Sequence, residues 1–420
     1  MVTQAAATVF DADIAIVGGG MVGLSLAKML AHSNSEWRIA VIESFPFKEA
    51  EPLYQPSFDS RSSAIAYGSC QLFEQLGLWQ RLNQHATPVK KVHVSDKGHI
   101  GGSKMTAEEY SVDALGYVID NQWLGQCLFE AVQPVANIEI MAPNQVAELT
   151  AIDKGYELVL SPGEGSDDTR TLKTRLLILS DGIHSNLKQK LGIAVDSTDY
   201  HSTAIISNVE FSQAHQGVAY ERFTSTGPMA ILPRGESTRA NQGALIWTLP
   251  PDKAKDIAEL DETAFLACLQ KSFGDRVGRF TRVGSRHLYP LKLVQVKEQI
   301  RSHLAVMGNA AHALHPVAGQ GFNLSMRDCA LMTEVLNQAW REAPDSFGCL
   351  KQLQTYMDLR SRDQFTTIQF SHWLPKLFST SQLASAAFRG LGLLGLELFP
   401  VGKKQLALQS MGKVGRSARL

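Results

Sequence analysis

Strand, glycine turn, helix and strand follow one another within the first 43 residues of this chain, and that order leaves few folds open. Ile14-Ala15-Ile16-Val17 is a short apolar run that enters Gly18-Gly19-Gly20-Met21-Val22-Gly23, and helical spacing continues through Leu24, Ala27 and Leu30. A second apolar run, Ile39 to Ile42, ends at Glu43. Such a βαβ unit has parallel strands and a right-handed crossover, so the sheet begins at the N-terminus. Gly18, Gly20 and Gly23 have the GxGxxG spacing. The first glycine serves the tight turn, the second close approach of a pyrophosphate, and the third packing of the helix on the strand. Unpaired N–H groups at the helix start, around Val22, then face the phosphates. Glu43, 25 residues after Gly18, is placed to accept hydrogen bonds from a ribose diol and would repel a 2′-phosphate. The competing reading is a glycine turn with no ligand.

Two later stretches read as buried parallel strands of the same sheet: Leu176 to Leu179 before Ser180-Asp181-Gly182, and Leu304 to Met307 before Gly308-Asn309. Between them Ser202 to Asn208, Val218 to Phe223 and Ala244 to Leu249 alternate or carry β-branched and aromatic residues, as antiparallel strands do. A second lobe is therefore inserted into the nucleotide-binding domain. Ser161 to Thr169 is a polar turn cluster between two strands, and Pro250 to Lys255 reads as another loop. From Leu324 onward the pattern is helical, with no internal repeat.

Composition removes several classes of function. The formal charge is -1, with Lys and Arg scattered singly, so there is no basic stripe of the kind that nucleic acid requires. The five cysteines, Cys70, Cys127, Cys268, Cys329 and Cys349, form no CxxC pair, which argues against a zinc site or redox disulfide and for a reducing cytoplasm. Residues 1–13 lack the basic and apolar regions of a secretory signal. No run reaches the ~18 apolar residues of a membrane span. The nearest, Leu383 to Val401, is broken by Arg389, Glu397 and Pro400 and suits packing on the body or peripheral membrane contact. His312 and His315 have no carboxylate cluster at metal-ligand spacing, so a loop-shaping role is expected and no metal.

The second glycine-rich segment, Gly308 to Leu324, is more specific than the first. Gly308, Ala310 and Ala311 let a backbone pass close to a ligand, while Gly319, Gly321 and Asn323 lie at a helix start. The positive end of that helix suits negative charge on a reduced flavin. With Gly18 to Gly23 and Ser180-Asp181-Gly182, it occurs in the order and spacing of the class A flavoprotein aromatic hydroxylases, which nearly the whole chain resembles. Within that class Phe58 to Arg61, Tyr220-Glu221-Arg222-Phe223 with Gly227-Pro228, and His315 to Leu324 resemble the ubiquinone-biosynthesis hydroxylases.

The resemblance implies an α/β fold: a Rossmann-like FAD-binding domain of the para-hydroxybenzoate-hydroxylase type, an inserted, mainly antiparallel β substrate domain, and C-terminal helices. Residues 1–80, 115–195 and 299–345 would form the FAD domain, 81–114 and 196–298 the substrate lobe, and 346–420 the helical region. FAD would be held by Gly18, Gly20, Val22, Gly23, Glu43, Arg61, Gln126, Asp181, Gly182, Gly308, Asn309, Pro316, Gly319, Gln320, Gly321, Phe322 and Asn323. Asn309 stands where most of the class has aspartate, and Lys188 where the Asp-Gly motif usually ends in arginine. Asparagine at 309 accords with the branch that acts on a methoxyphenol. Asp181 also suits a helix cap, and Arg61 a surface ion pair.

The implied activity is hydroxylation of a polyprenylated phenol in ubiquinone biosynthesis. Molecular oxygen would be the oxygen source and NAD(P)H the transient electron donor, with other proteins of that pathway and a membrane surface as partners. The flavin carries the chemistry, so no catalytic side chain is named. A disulfide-type pyridine nucleotide reductase would need a cysteine pair, and a flavin halogenase a WxWxIP segment; neither occurs. A silent flavin or prenyl carrier is the rival from outside the enzymes.

Overall fold

The computed structural model describes residues 9–47, 61–97, 102–163, 168–183, 185–235, 240–314, 319–379 and 400–413. Its first sheet has eight strands. Along the main path they run Ile300–Arg301, Leu304–Val306, Arg170–Leu179, Ala12–Val17, Ile39–Ile42 and Ile138–Met141, and all but the first of these are parallel to their neighbours. Every residue of Ala12–Val17 is buried. Alternation explains why: Ile14 and Ile16 join the cluster under the helices Met21–Ser33 and Gln320–Glu342, while Ala15 and Val17 face Tyr156, Leu158 and Leu172 on the other side. A strand covered on both faces reads as an unbroken apolar run, and that is how its sequence reads.

The second sheet has nine strands and is mostly antiparallel. Val195–Phe211, Val218–Thr224, Gly227–Arg234 and Gln242–Leu249 form its centre, and Lys91–Asp96 adds in parallel to Val218–Thr224. One face carries Ile205, Val209, Met229, Ile231, Leu245 and Trp247, all buried beneath the helix Glu262–Phe273. A small sheet of Ser62–Ala66, Gly116–Asp120 and Ala86–Val89 packs against Gly227–Arg234 of the nine-stranded one. Arg234 makes a bidentate ion pair from the large sheet to Asp120 of the small one. The helix Gln320–Glu342 packs on Met21–Ser33, and the long helix Leu350–Ser379 crosses it to reach the nine-stranded sheet.

The structure corrects one expectation and extends another. Pro250 to Lys255 is not a loop: Pro251 opens the helix Pro251–Glu259 at its first turn, where a missing N–H and a fixed φ cost nothing. The strand expected over Ser202 to Asn208 is much longer, Val195–Phe211, because its polar first half pairs with Leu291 to Val296 at an exposed edge. The segment Leu383 to Leu398 lies outside the described residues. No helix among those described is long and apolar enough to cross a membrane.

Candidate cofactor site

Four parallel strands stop at one level. Val17 pairs with Ile42 and with Leu179, and Leu179 pairs with Val306. Each strand runs directly into a segment already notable in the sequence: the turn Gly18 to Gly23, Glu43, Ser180-Asp181-Gly182, and Met307-Gly308-Asn309. Backbone bonds lock the edge, from Gly18 N–H to Ile42 O, Ser180 N–H to Val17 O and Met307 N–H to Leu179 O, each 2.8 Å. The carboxyl ends of parallel strands are where open α/β sheets bind ligands.

The glycine turn is built for close approach. Gly18 has φ +103, and a Cβ there would stand 2.6 Å from Ser180 O. A Cβ on Gly23 would stand 1.9 Å from Gly18 O. Gly20 caps Met21–Ser33 without a side-chain bond, and no acidic residue occupies the first turn, so the N–H groups at that end are left for an anion. Glu43 accepts from Gly19 N–H at 2.7 Å and from Phe45 N–H at 2.9 Å, and its carboxylate keeps lone pairs for a diol. Val22 touches Gly308 with its side chain, and its carbonyl accepts from Cys329. Asp181 caps no helix: Asn186 precedes the next one, and Asp181 Oδ1 is buried without a partner. Burial pushes its carboxyl up, against the pull of Ser185 and Lys188. A carboxyl with one buried, unpartnered oxygen beside a glycine cradle and a bare helix end fits the ribose and pyrophosphate of FAD.

The sequence did not show what joins the two loops. Lys188, buried, donates from Nζ to Gly182 O at 3.0 Å and Ala310 O at 3.1 Å, with Ile183 O at 3.3 Å. Burial lowers its pKa, and Asp181 opposes that. Lysine at this position therefore clips the Asp181 loop to the Gly308 turn. Lys188→Met keeps the stem and removes the donors; losing these charge-assisted bonds is expected to cost about 2–3 kcal/mol and to weaken flavin retention. Thermal melts and a flavin titration check this, and unchanged affinity would leave Lys188 as packing alone.

The remaining candidates divide. Asn323 holds the second loop: Oδ1 accepts from Ala66 N–H at 2.8 Å and Ser69 Oγ at 2.9 Å, and Nδ2 donates to Ala64 O and Gly319 O, each 2.8 Å. Both ends of its amide are thus engaged by protein. Gly319 packs on Ala64, Gln320 is buried, and Gly321 faces open space. Phe322 packs on the main core, Gly182 has φ +83 and an open side, and Asn309 is exposed in the short turn Gly308–Ala310. Arg61 lies over the Tyr289 ring, 4.8 Å from its centroid, at the joint of the small and large sheets. Gln126 is engaged on its own helix, donating to Glu130 at 2.9 Å rather than to the glycine turn. Pro316 and His315 lie outside the described residues.

His312 gains the carboxylate that its sequence neighbourhood lacks. Its Nε2 lies 3.0 Å from Asp328 Oδ2, and Arg360 Nε donates to Asp328 Oδ1 at 2.7 Å, with Gln364 Nε2 at 3.0 Å. His312 and Asp328 are each 1% exposed. Burial alone would raise the Asp328 carboxyl, but Arg360 and then His312 hold it well below the ordinary range. The network ties the second loop to both long C-terminal helices.

Residues 11–370 match the FAD binding domain family. The ubiquinone hydroxylase UbiL of Rhodospirillum rubrum is 32% identical over 404 residues, covering 96% of this chain and 90% of that protein. The 3-demethoxyubiquinol 3-hydroxylase of Escherichia coli is 29% identical, covering 95% and 98%. Among solved structures, p-nitrophenol 4-monooxygenase PnpA from Pseudomonas putida superposes with TM-score 0.76 over 98% of this chain and 100% of that one, at 18% identity. With the turn Gly18 to Gly23 and the turn at Gly308 brought to one sheet edge, the chain belongs to the FAD-binding, class A flavin hydroxylase family and is an FAD-dependent monooxygenase.

Proposed function

We propose that this protein hydroxylates the ring of a polyprenylated phenol in ubiquinone biosynthesis, with 2-octaprenyl-6-methoxyphenol as the substrate type and NAD(P)H as electron donor. The observation that carries the reading is the pairing of a complete dinucleotide edge with near full-length similarity to two proteins named for ubiquinone-ring hydroxylation. FAD, when bound, supplies the activation of molecular oxygen. The chain's own residues bind it at the edge of Val17, Ile42, Leu179 and Val306 and must keep water from the reacting ring. The face of the large sheet turned away from Glu262–Phe273 offers an apolar wall, where Val94, Ala230, Ile246 and Ile206 lie in one row with Glu221. A prenyl tail also favours peripheral contact with a membrane, and Phe365 and Trp373, 64% and 61% exposed on Leu350–Ser379, support that.

The test is metabolic. Cells lacking the gene, grown in air, are expected to lose ubiquinone and to accumulate a prenylated methoxyphenol identified by mass spectrometry. Normal ubiquinone would overturn the quinone assignment. Another accumulating prenylphenol would keep the pathway and change the position.

A further inference from the structure

Tyr220 to Phe223 run along Val218–Thr224, an inner strand of the nine-stranded sheet, where alternate side chains face opposite sides. Tyr220 packs edge-on to Phe273, so Ala219, Glu221 and Phe223 face the other way. There Ala219 joins Val89, Val92, Val118 and Leu232. Val118 is the register partner of Ala64, and Ala64 is what a side chain at Gly319 would strike, at 2.9 Å. One face of the small sheet thus touches both the second glycine-rich loop and the strand that carries Glu221. The long helix Leu350–Ser379 packs across the same strand and closes the space from another side.

Within that space the Glu221 carboxyl has no hydrogen bond or ion pair among the described residues. Its register neighbours, Val94 and Ala230, are apolar. Of the charged groups on the adjoining elements, Arg234 is paired with Asp120, Arg360 with Asp328 and Asp363, and Arg327 with Asp363. Arg222, whose Nε and Nη1 are buried without a partner among the described residues, lies on the opposite face near Gly274. Asp96, two residues beyond Val94 on the same face, has its own interaction. Glu221 is half-buried on this face, set in a row of apolar side chains rather than in open solvent. An isolated carboxylate in such a place destabilises the fold unless something supplies a donor. A phenol in that space presents one.

Resting on the reading of the protein as a phenol hydroxylase, we propose that Glu221 is the base that receives the proton of the substrate's phenolic hydroxyl. The phenol O–H bond breaks as an O–H bond forms on the Glu221 carboxylate. The electron pair left on the phenol oxygen enriches the ring carbons toward oxygen transfer. No oxidant or reductant takes part in this step. Burial pushes the carboxyl up to about 7, near the value a general base needs at neutral pH.

The experiment uses the FAD-loaded protein and a short-chain prenylated methoxyphenol. Glu221→Gln is expected to keep its flavin absorbance and to lose product formation by ~100-fold or more, with activity recovering as pH nears the phenol's own ionisation, about 10. Wild-type product rate and pH profile in that variant would overturn the proposal. A second measurement needs no variant. Perturbation of the flavin spectrum reports binding of the phenol and of its O-methyl ether to the wild-type protein between about pH 6 and 8. Affinity for the phenol is expected to rise with pH while that for the ether stays flat, and equal pH dependence would overturn the proposal. If the wild-type protein hydroxylates no prenylated phenol, the functional reading itself fails and the base assignment falls with it.

Discussion

Replacing Asp328 with alanine is expected to lower the free energy of unfolding by about 3–5 kcal/mol. Asp328 is 1% exposed, and its two oxygens serve Arg360, Gln364 and His312. Removing the carboxylate leaves the Arg360 guanidinium buried, with only Asp363 to answer it. It also frees the strand His312–Ala313 from the helices Gln320–Glu342 and Leu350–Ser379. The loss should therefore be larger than the surface ion pair of Arg170 and Glu139 contributes, ~1 kcal/mol at most. The depressed carboxyl sets the sign of the pH dependence. Its stabilisation is complete above the unfolded value, about 3.9, fades as pH falls from there towards the lower folded value, and is gone below it. Urea unfolding of wild type and variant should differ by the same amount at pH 7 and at pH 5 for this group. A difference below ~1 kcal/mol would show that the network is not what holds the second loop.

The parts of this fold that local sequence could state are those set by local physics. Ile14 to Val17, Leu176 to Leu179 and Leu304 to Val306 are apolar without a break because both faces are covered, and the structure makes them parallel neighbours. The glycine spacing was legible for the same reason, since a turn of positive φ and a close helix crossing leave no room for other residues. The rest depends on partners far along the chain. Lys188 meets Ala310 across 122 positions, and Asp328 meets Arg360 across 32. No periodicity announces such pairs. Lys188 looked like a departure from the family pattern because arginine usually stands there, and its partners, backbone carbonyls that every residue carries, leave no mark in the sequence. Glu221 stood in a stretch noted only for resemblance; its isolation shows once the apolar residues from adjoining strands are set beside it.

Gly23→Ala tests the N-terminal turn of the cofactor site, and it is expected to give a colourless protein. The added methyl would lie 1.9 Å from Gly18 O, with Ser180 Oγ 3.0 Å away, so the obstacle is the backbone of the turn and no flexible side chain can yield to it. Relief requires Met21–Ser33 to withdraw from Ala12–Val17, which opens the turn and turns the helix N–H groups from the phosphates. Overpacking of this kind costs about 1–3 kcal/mol in stability, sometimes more. In flavin affinity the expected loss is at least ~100-fold, or about 2.7 kcal/mol. Far-ultraviolet circular dichroism separates loss of cofactor from loss of fold: the sheets and helices should persist while the flavin absorption per chain falls away. A variant that stays yellow at the wild-type ratio would mean that the nucleotide is held by the Asp181 and Gly308 segments alone, and the N-terminal turn would then be architecture.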